Sequence, residues 1–302
     1  MSRPVAIDCD PGLDDAVAIL IASGALDVRG VTSVAGNAPL ERTTRNAARV
    51  LTCCARDVPL AAGMGAPLVR ELTTAEDVHG DDGLGAVDLP GAAVEPVDRH
   101  ATELLAEVAR ETGDLVVLSV GPQTNVAAAI RRDPDVVDHI DRIVLTAGST
   151  RGGNVTPVAE INAYVDPEAL SIVVDADVPI TMVGLNVTWE ARVGEETAVA
   201  LESTGGDTGQ YAASFIRSLG PFHADRDGWD AVPLHDALAA AAIVDEDVLT
   251  TRPMRVDVET RGEHTTGATV CRPDADEPNV DVATGVDADR FRSILVDAIA
   301  GE

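Results

Sequence analysis

The chain has 302 residues and a formal net charge of -29, from 51 acidic residues against 22 basic ones, and every basic one is arginine. That balance excludes nucleic acid and anionic membranes as partners, because both recruit clustered Lys and Arg. No apolar run reaches the roughly 18 to 20 residues that a membrane span needs. An acidic, lysine-free chain of this kind reads as a protein of concentrated salt, where self-repulsion is screened. Dialysis into low-salt buffer is therefore expected to cost it secondary structure. With 45% hydrophobic residues but only 2% aromatics, the core must be built from Ala, Val, Leu and Ile.

Short β-branched runs alternate with Ala/Leu-rich helical patterns. "PVAID" precedes a helix over 13–23, and "VRGVTSVAG" precedes one over 41–56. "DLVVLSV" (114–120) leads into a helix from Gln123. "RIVLTAG" (142–148) leads through a polar loop to a helix from Pro167, and "VPITMVG" (178–184) follows. The last third holds helices over 194–222 and 236–244, then strand-like "PMRVDVET", "TTGATV" and "NVDVAT", and a closing helix over 287–299. β-α alternation implies a parallel sheet with helices on both faces. No repeat or linker marks a boundary, so the expectation is an α/β fold: a single Rossmann-like domain over 1–302, with a mainly parallel central sheet flanked by helices and an antiparallel C-terminal addition. The N-terminus runs straight into a strand without a signal core, which reads as cytoplasmic. Cys9, Cys53, Cys54 and Cys271 show no C-x-x-C spacing and read as small core residues.

In open parallel sheets, ligands bind outside the carboxyl ends of the strands. Those ends carry Asp8 and Asp10, Gly36-Asn37, Gly121-Pro122, "GSTRGGNVTPVAEIN" and "LNVTW". In "DCDPGLDD", alternation puts Asp8 and Asp10 on one side of the strand, and Pro11-Gly12 makes the turn. Asp14 and Asp15 fall in the first helical turn, at the positive end of the dipole. As caps and turn residues they would be unremarked singly, but four carboxylates in eight residues, with no arginine among them, raise one another's pKa unless a cation is present. A hard divalent ion, Ca2+ or Mg2+, is the economical answer. In "PLHDALAAAA", Asp236 is either a helix cap or a metal ligand, with His235 beside it. His79, in the glycine-rich loop "HGDDGLG", is either solvated or functional. "GNVTPVAEINAYVDPEA" places Asn154, Glu160 and Asn162 in one loop, a set suited to hydroxyl-rich ligands rather than phosphates.

In order and context these motifs resemble the inosine–uridine preferring nucleoside hydrolases: DxDPGxDD after the first strand, Gly-Asn after the second, HGxxG, N-x5-E-x-N and a late His-Asp. The resemblance runs from about residue 4 to beyond Pro253. It implies Asp10, Asp15 and Asp236 as side-chain ligands of Ca2+, joined by the backbone carbonyl of Val120, where relatives often carry Thr. It also implies that Asp14, Asn37, Asn154, Glu160 and Asn162 hold the ribose. Asp10 would be the base that takes a proton from a calcium-bound water, and Asp8 would support the loop. His235, assisted by His79, would serve the departing base. The reaction implied is hydrolysis of the N-glycosidic bond of uridine, cytidine or inosine through an oxocarbenium-like transition state, by a homo-oligomer, dimer or tetramer. Glu160, near the ribose 5′ end, implies that nucleotides are disfavoured. Ile161 stands where some relatives carry Phe, and Ala237 where Pro is frequent. "FHADRDGWDAVP" diverges and offers Phe222, His223 and Trp229 as base contacts. Carrying both His79 and His235 leans toward pyrimidine-preferring members. Two rivals remain: a haloacid-dehalogenase-like phosphatase, disfavoured because the chain has no lysine and no obvious arginine in the rim motifs to meet phosphate oxygens, and a calcium-dependent nucleoside-binding protein without turnover.

Overall fold

The computed structural model describes residues 3–80, 82–85 and 87–301, so residues 1, 2 and 302 of the expected domain and Asp81 of the HGDDGLG stretch lie outside the described residues. In chain order, β1 (Pro4–Cys9), α1 (Leu13–Ala25), β2 (Asp27–Ser33), α2 (Leu40–Cys53) and β3 (Leu60–Ala62) precede a single turn, α3 (Glu76–His79). Next come α4 (Ala101–Thr112), β4 (Leu115–Ser119), α5 (Thr124–Arg132), β5 (Ile140–Leu145), α6 (Ile161–Val165), α7 (Pro167–Val174) and β6 (Ile180–Met182). The remainder holds α8 (Leu185–Thr188), β7 (Arg192–Val193), α9 (Glu195–Thr204), α10 (Gly206–Asp227), β8 (Val232–Pro233) and α11 (His235–Val244). The chain closes with β9 (Leu249–Val258), β10 (Thr269–Arg272), β11 (Val280–Val286) and α12 (Ala288–Ala300).

Nine strands form one sheet in the order β10-β9-β11-β6-β5-β4-β1-β2-β3. Pairing is parallel from β3 across to β11, and antiparallel only where β9 joins β11 and β10. From β1 the chain moves outward through β2 and β3, then crosses back to place β4 on the other side of β1. The strand order therefore reverses at β1/β4, and the crevice beyond their carboxyl ends is where such sheets bind ligands.

Alternation divides β1 between two cores: Val5, Ile7 and Cys9 join one, Ala6 the other. Against the first lies α1, buried around nearly its whole circumference, as an internal helix must be apolar all round. It packs on α11, whose Ala237, Ala239, Ala240 and Ala241 are fully buried. Small side chains let the two helices approach closely, and α11 thereby brings its first residues, His235 and Asp236, against the start of α1.

Four segments differ from expectation. Helical pattern over 194–222 divides at Gly205–Gly206, where Gly206 adopts the left-handed φ of +55°. The second half, α10, then runs past Pro221 to Asp227, so Phe222 and His223 are helical. The polar stretch before Pro167 contains α6, whose first turn is capped by Glu160. Neither α4 nor β3 was expected, because their patterns are short or broken by polar residues.

Asp166 is fully buried and ties three elements together. It caps α7 through the Ala169 N–H at 3.0 Å, and its other oxygen accepts from Leu68 N–H (2.8 Å) and Thr124 Oγ1 (2.7 Å). Beside it Arg70 makes a two-pronged contact with Glu168 at 2.8 and 2.9 Å. Losing a cap and leaving two buried donors unmet costs about 2–4 kcal/mol. Asp166→Ala is expected to lower the denaturation midpoint accordingly in urea titration, with an unchanged slope.

Single guanidinium groups also bridge pairs of carboxylates at element junctions: Arg217 to Glu195 and Glu202, Arg255 to Asp175 and Asp257, and Arg290 to Asp245 and Asp247. None of the described helices is long and apolar enough to cross a membrane.

Candidate active site

A cavity of about 290 Å³ opens over the β1/β4 edge. Of the eleven residues expected at the site, nine line it: Asp14, Asn37, His79, Val120, Asn154, Glu160, Asn162, His235 and Asp236. Asp10 and Asp15, 1% and 0% exposed, lie outside the lining, buried against it.

The acidic cluster is held by backbone and amide donors. Asp15 accepts from the N–H groups of Asp10 (3.1 Å) and Gly12 (2.9 Å), closing the turn back on itself. Asp10 Oδ2 accepts from Asn37 N–H at 2.6 Å, while its Oδ1 is buried with no hydrogen-bond partner among the described residues. Two glycines leave room for this carboxylate: a Cβ on Gly36 would fall 2.0 Å from Oδ2, and one on Gly121 would fall 2.7 Å from Oδ1. Asp8, behind them, accepts from Thr32 Oγ1 and Asn125 Nδ2. Asp14, Asp15 and Asp236 each bring a carboxylate oxygen within 4.8 Å of the others.

Such a group is costly to ionise. Burial, then the charge of Asp15, pushes Asp10 well above the carboxylate range; burial, then Asp14, raises Asp15 to about 7. Asp236 is raised by burial and by all three neighbouring aspartates. An orphaned buried oxygen and crowded carboxylates fit a cation, and an all-oxygen donor set fits a hard one. Val120 adds a carbonyl that accepts one bond, from Asn162 Nδ2 at 2.8 Å, and keeps a lone pair.

The amides expected to meet a ligand are already half committed. Asn37 spends its NH2 on the Asp10 carbonyl and Asp15 Oδ2, and Asn162 spends its NH2 on the Val120 and Thr146 carbonyls. Each is left with an acceptor oxygen. Asn154 is the reverse: its oxygen accepts from Ile161 N–H, leaving the NH2 to donate. Glu160 accepts from Gly148, Asn162 and Ala163 N–H groups, yet burial outweighs these and raises it to about 7.

Opposite stand the imidazoles. His79 ends the α3 turn and is buried, not solvated on an open loop; its Nδ1 accepts from Leu13 N–H at 3.2 Å. His235 Nδ1 meets Thr188 Oγ1 at 2.6 Å, and burial lowers its pKa to about 4. Phe222, His223 and Arg226 line the same wall from α10. Trp229 is not part of the lining; it stacks behind His223 at 5.8 Å between ring centroids.

Sequence reasoning missed Arg226, Thr188, Thr73 and Thr74. The expectation of a rim without arginine is corrected by Arg226, which lies inside "FHADRDGWDAVP", a stretch whose helical continuation past Pro221 hides its spacing. Thr188 lay in the rim run "LNVTW" but offered no signal apart from its position.

The architecture and its strand-end cavity are those of nucleoside-cleaving enzymes. The structure superposes on a plant nucleoside hydrolase, PpNRh1, with a TM-score of 0.92 at 30% identity over 99% of both chains. A purine-preferring ribonucleoside hydrolase from Gardnerella vaginalis gives a TM-score of 0.93 at 29% identity, covering 99% of this chain and 98% of that one. Residues 5–293 match the profile of the inosine-uridine preferring nucleoside hydrolases, and the chain belongs to that family. It is 40% identical, over 99% of each chain, to the pyrimidine-specific ribonucleoside hydrolase RihA of Escherichia coli O139:H28 (strain E24377A / ETEC). It is 42% identical, over 89% of each, to the RihA of Photobacterium profundum. The protein is thus a hydrolase that cleaves ribonucleosides to base and ribose, and the phosphatase and non-catalytic alternatives are set aside.

Proposed function

We propose that the protein is a Ca2+-dependent hydrolase of pyrimidine ribonucleosides, acting in the cytoplasm of a cell that works in high salt. The observation that carries this reading is the apposition, across one cavity, of a carboxylate floor and a wall of imidazoles. The identity to pyrimidine-specific relatives supports the choice of base, and four free cysteines suit a reducing compartment.

Asp10, Asp15, Asp236 and the Val120 carbonyl would hold the ion. Calcium rather than magnesium suits a donor set of irregular carboxylates plus a carbonyl. When bound, it supplies positive charge that acidifies water and gathers vicinal hydroxyls. Asp14 touches both functions, since it stands against Asp15 and Asp236 while lining the cavity. Asn37 and Asn162 accept from sugar hydroxyls through their remaining oxygens, Asn154 donates through its NH2, and Glu160 flanks the sugar. Asp10, with one oxygen unpaired, takes the proton of the attacking water. The surrounding carboxylates stabilise the positive charge that grows at C1′ as the C–N bond breaks.

His235 and His79 serve the leaving base. Because burial holds His235 neutral, and an adjacent cation would push it further the same way, its contribution is a hydrogen bond from a neutral ring. His235→Ala is expected to slow uridine hydrolysis by about 10²-fold and to leave a nitrophenyl riboside, whose leaving group needs no help, nearly unaffected. Equal losses on both substrates would remove His235 from this role. The whole reading is tested by a panel of free nucleosides with chromatographic detection of released base, in which uridine and cytidine should exceed inosine.

A further inference from the structure

His223 is the imidazole that the reaction as described leaves without a task. It sits on α10, is 4% exposed, and lines the cavity. Its Nδ1 lies 2.9 Å from Asp227 Oδ2, one helical turn on. Asp227 is itself gripped by Arg226, through Nε at 2.9 Å and Nη2 at 3.1 Å. Burial works against its ionisation, but the Arg226 and His223 bonds outweigh that and hold its pKa below the usual carboxylate value. An ionised carboxylate only accepts, so His223 Nδ1 must carry the hydrogen. Trp229, stacked at an interplanar angle of 11°, and Phe222, edge-on at 84°, hold the ring from two sides.

That assignment fixes the other nitrogen. With hydrogen on Nδ1, a neutral imidazole presents a lone pair at Nε2. Among the described residues Nε2 has no protein hydrogen-bond partner, and the ring that carries it lines the cavity. The charged and titratable groups facing this ring are Asp14, Arg226, Asp227 and, across the cavity, His235. Burial, the largest influence, favours the neutral form.

We propose that His223 determines base specificity as a fixed acceptor, taking through Nε2 a hydrogen bond from an N–H on the edge of the base remote from the sugar, with Asp227 positioning it. In a pyrimidine that donor is the N3–H of uracil or the exocyclic amine of cytosine. The proposal rests on the nucleoside reading above and narrows it. It separates the imidazoles by chemistry: His235 gives a hydrogen bond to the departing base, and His223 receives one from it.

The test compares kcat/KM for uridine, 3-methyluridine and 5-methyluridine, with a nitrophenyl riboside as a substrate that lacks any such N–H. Methylation at N3 removes the donor; methylation at C5 adds the same bulk and leaves it. Wild-type enzyme should favour uridine over 3-methyluridine by about 10- to 100-fold, the range set by an unmet buried polar group, and favour it over 5-methyluridine far less. In His223→Leu the N3 preference should collapse to within about threefold, through loss on uridine, while nitrophenyl riboside turnover persists. His223→Gln, which can still accept, should retain the preference. Asp227→Asn keeps the ring but frees its tautomer, so it should weaken the preference even if His223→Leu fails to fold. Base release with no N3 discrimination in the wild type, or discrimination that survives in both His223→Leu and Asp227→Asn, overturns this proposal alone. No base release from any nucleoside overturns the nucleoside reading, and this proposal with it.

Discussion

Asp10→Asn is expected to reduce kcat on uridine on the order of 10³-fold or more, the upper part of the range for removing a general base. The substitution is close to isosteric, and the site is built so that little else can change. Its carbonyl oxygen can still accept from Asn37 N–H, and Gly36 and Gly121 press on the side chain from two sides. What changes is the orphaned position: an oxygen that could take a proton becomes an NH2 that cannot. Ion affinity should fall as well, because one negative charge leaves the cluster. The measurement is single-turnover base release at saturating Ca2+, so that weakened ion binding is not mistaken for lost chemistry. Activity within tenfold of wild type would remove Asp10 from the role of base.

Chelation should abolish activity, and added Ca2+ should restore it with an apparent affinity that climbs as pH rises through about 7. The sign follows from the raised carboxylate pKa values. Without an ion, Asp15 titrates near 7 and Asp10 and Asp236 higher than usual, so near neutral pH the cluster retains protons that an ion must displace. The same shifts govern stability. A carboxyl whose folded pKa exceeds its unfolded value of about 4 binds more protons when folded. Its contribution is fully present below that unfolded value and is lost as pH rises through the folded one, near 7. The ion-free enzyme should therefore melt at lower temperature at pH 8 than at pH 5.5, and the melting shift on adding Ca2+ should be larger at pH 8. Calorimetric melting with and without chelator at the two pH values reads both effects; a Ca2+ shift that shrinks with pH would contradict the assignment of these aspartates.

The sheet and most of its helices were legible because their signal is local. β1, β2, β4, β5 and β6 carry the β-branched residues that mark strands, whereas β3 (Leu-Ala-Ala) carries none, and α1, α2 and α12 fall within a few residues of their expected bounds. What stayed hidden depends on contacts far apart in sequence. Glu160 is expected as a ligand in a loop and is also the cap of α6, which the N–H groups of Asn162 and Ala163 reveal and the sequence does not. Asn37 and Asn162 are expected to hold the ribose, yet each has both amide hydrogens taken by groups distant in sequence, Asn37 by the Asp10 carbonyl and Asp15 Oδ2 and Asn162 by the Val120 and Thr146 carbonyls. The glycines around His79 leave it open in the sequence whether that ring is solvated or functional, whereas the chain folds it inward against Leu13. The α10 wall was obscured by Pro221, near which the expected helical pattern stops, whereas α10 runs on to Asp227. The place of Asp8 and Asp10 at the ligand-binding end of the sheet was legible from strand-end position, whereas the approach of Asp236 to Asp14 and Asp15 was implied only by the family resemblance.

Guanidinium groups that each serve two carboxylates have a consequence for how this enzyme tolerates its solvent. Removing one such arginine does not subtract a single attraction; it releases two like charges at a joint between elements. Arg217 is the clearest instance, standing between the start of α9, the end of α9 and the middle of α10. Dissolved cations can replace it only by occupying the same junction at their own concentration. Arg217→Gln should therefore behave like wild type in molar salt and unfold first as salt is withdrawn, which salt titration by circular dichroism would show as a higher midpoint. On this view the protein carries a small internal supply of counter-ions, placed where its parts meet, and leaves the rest of its neutralisation to the medium.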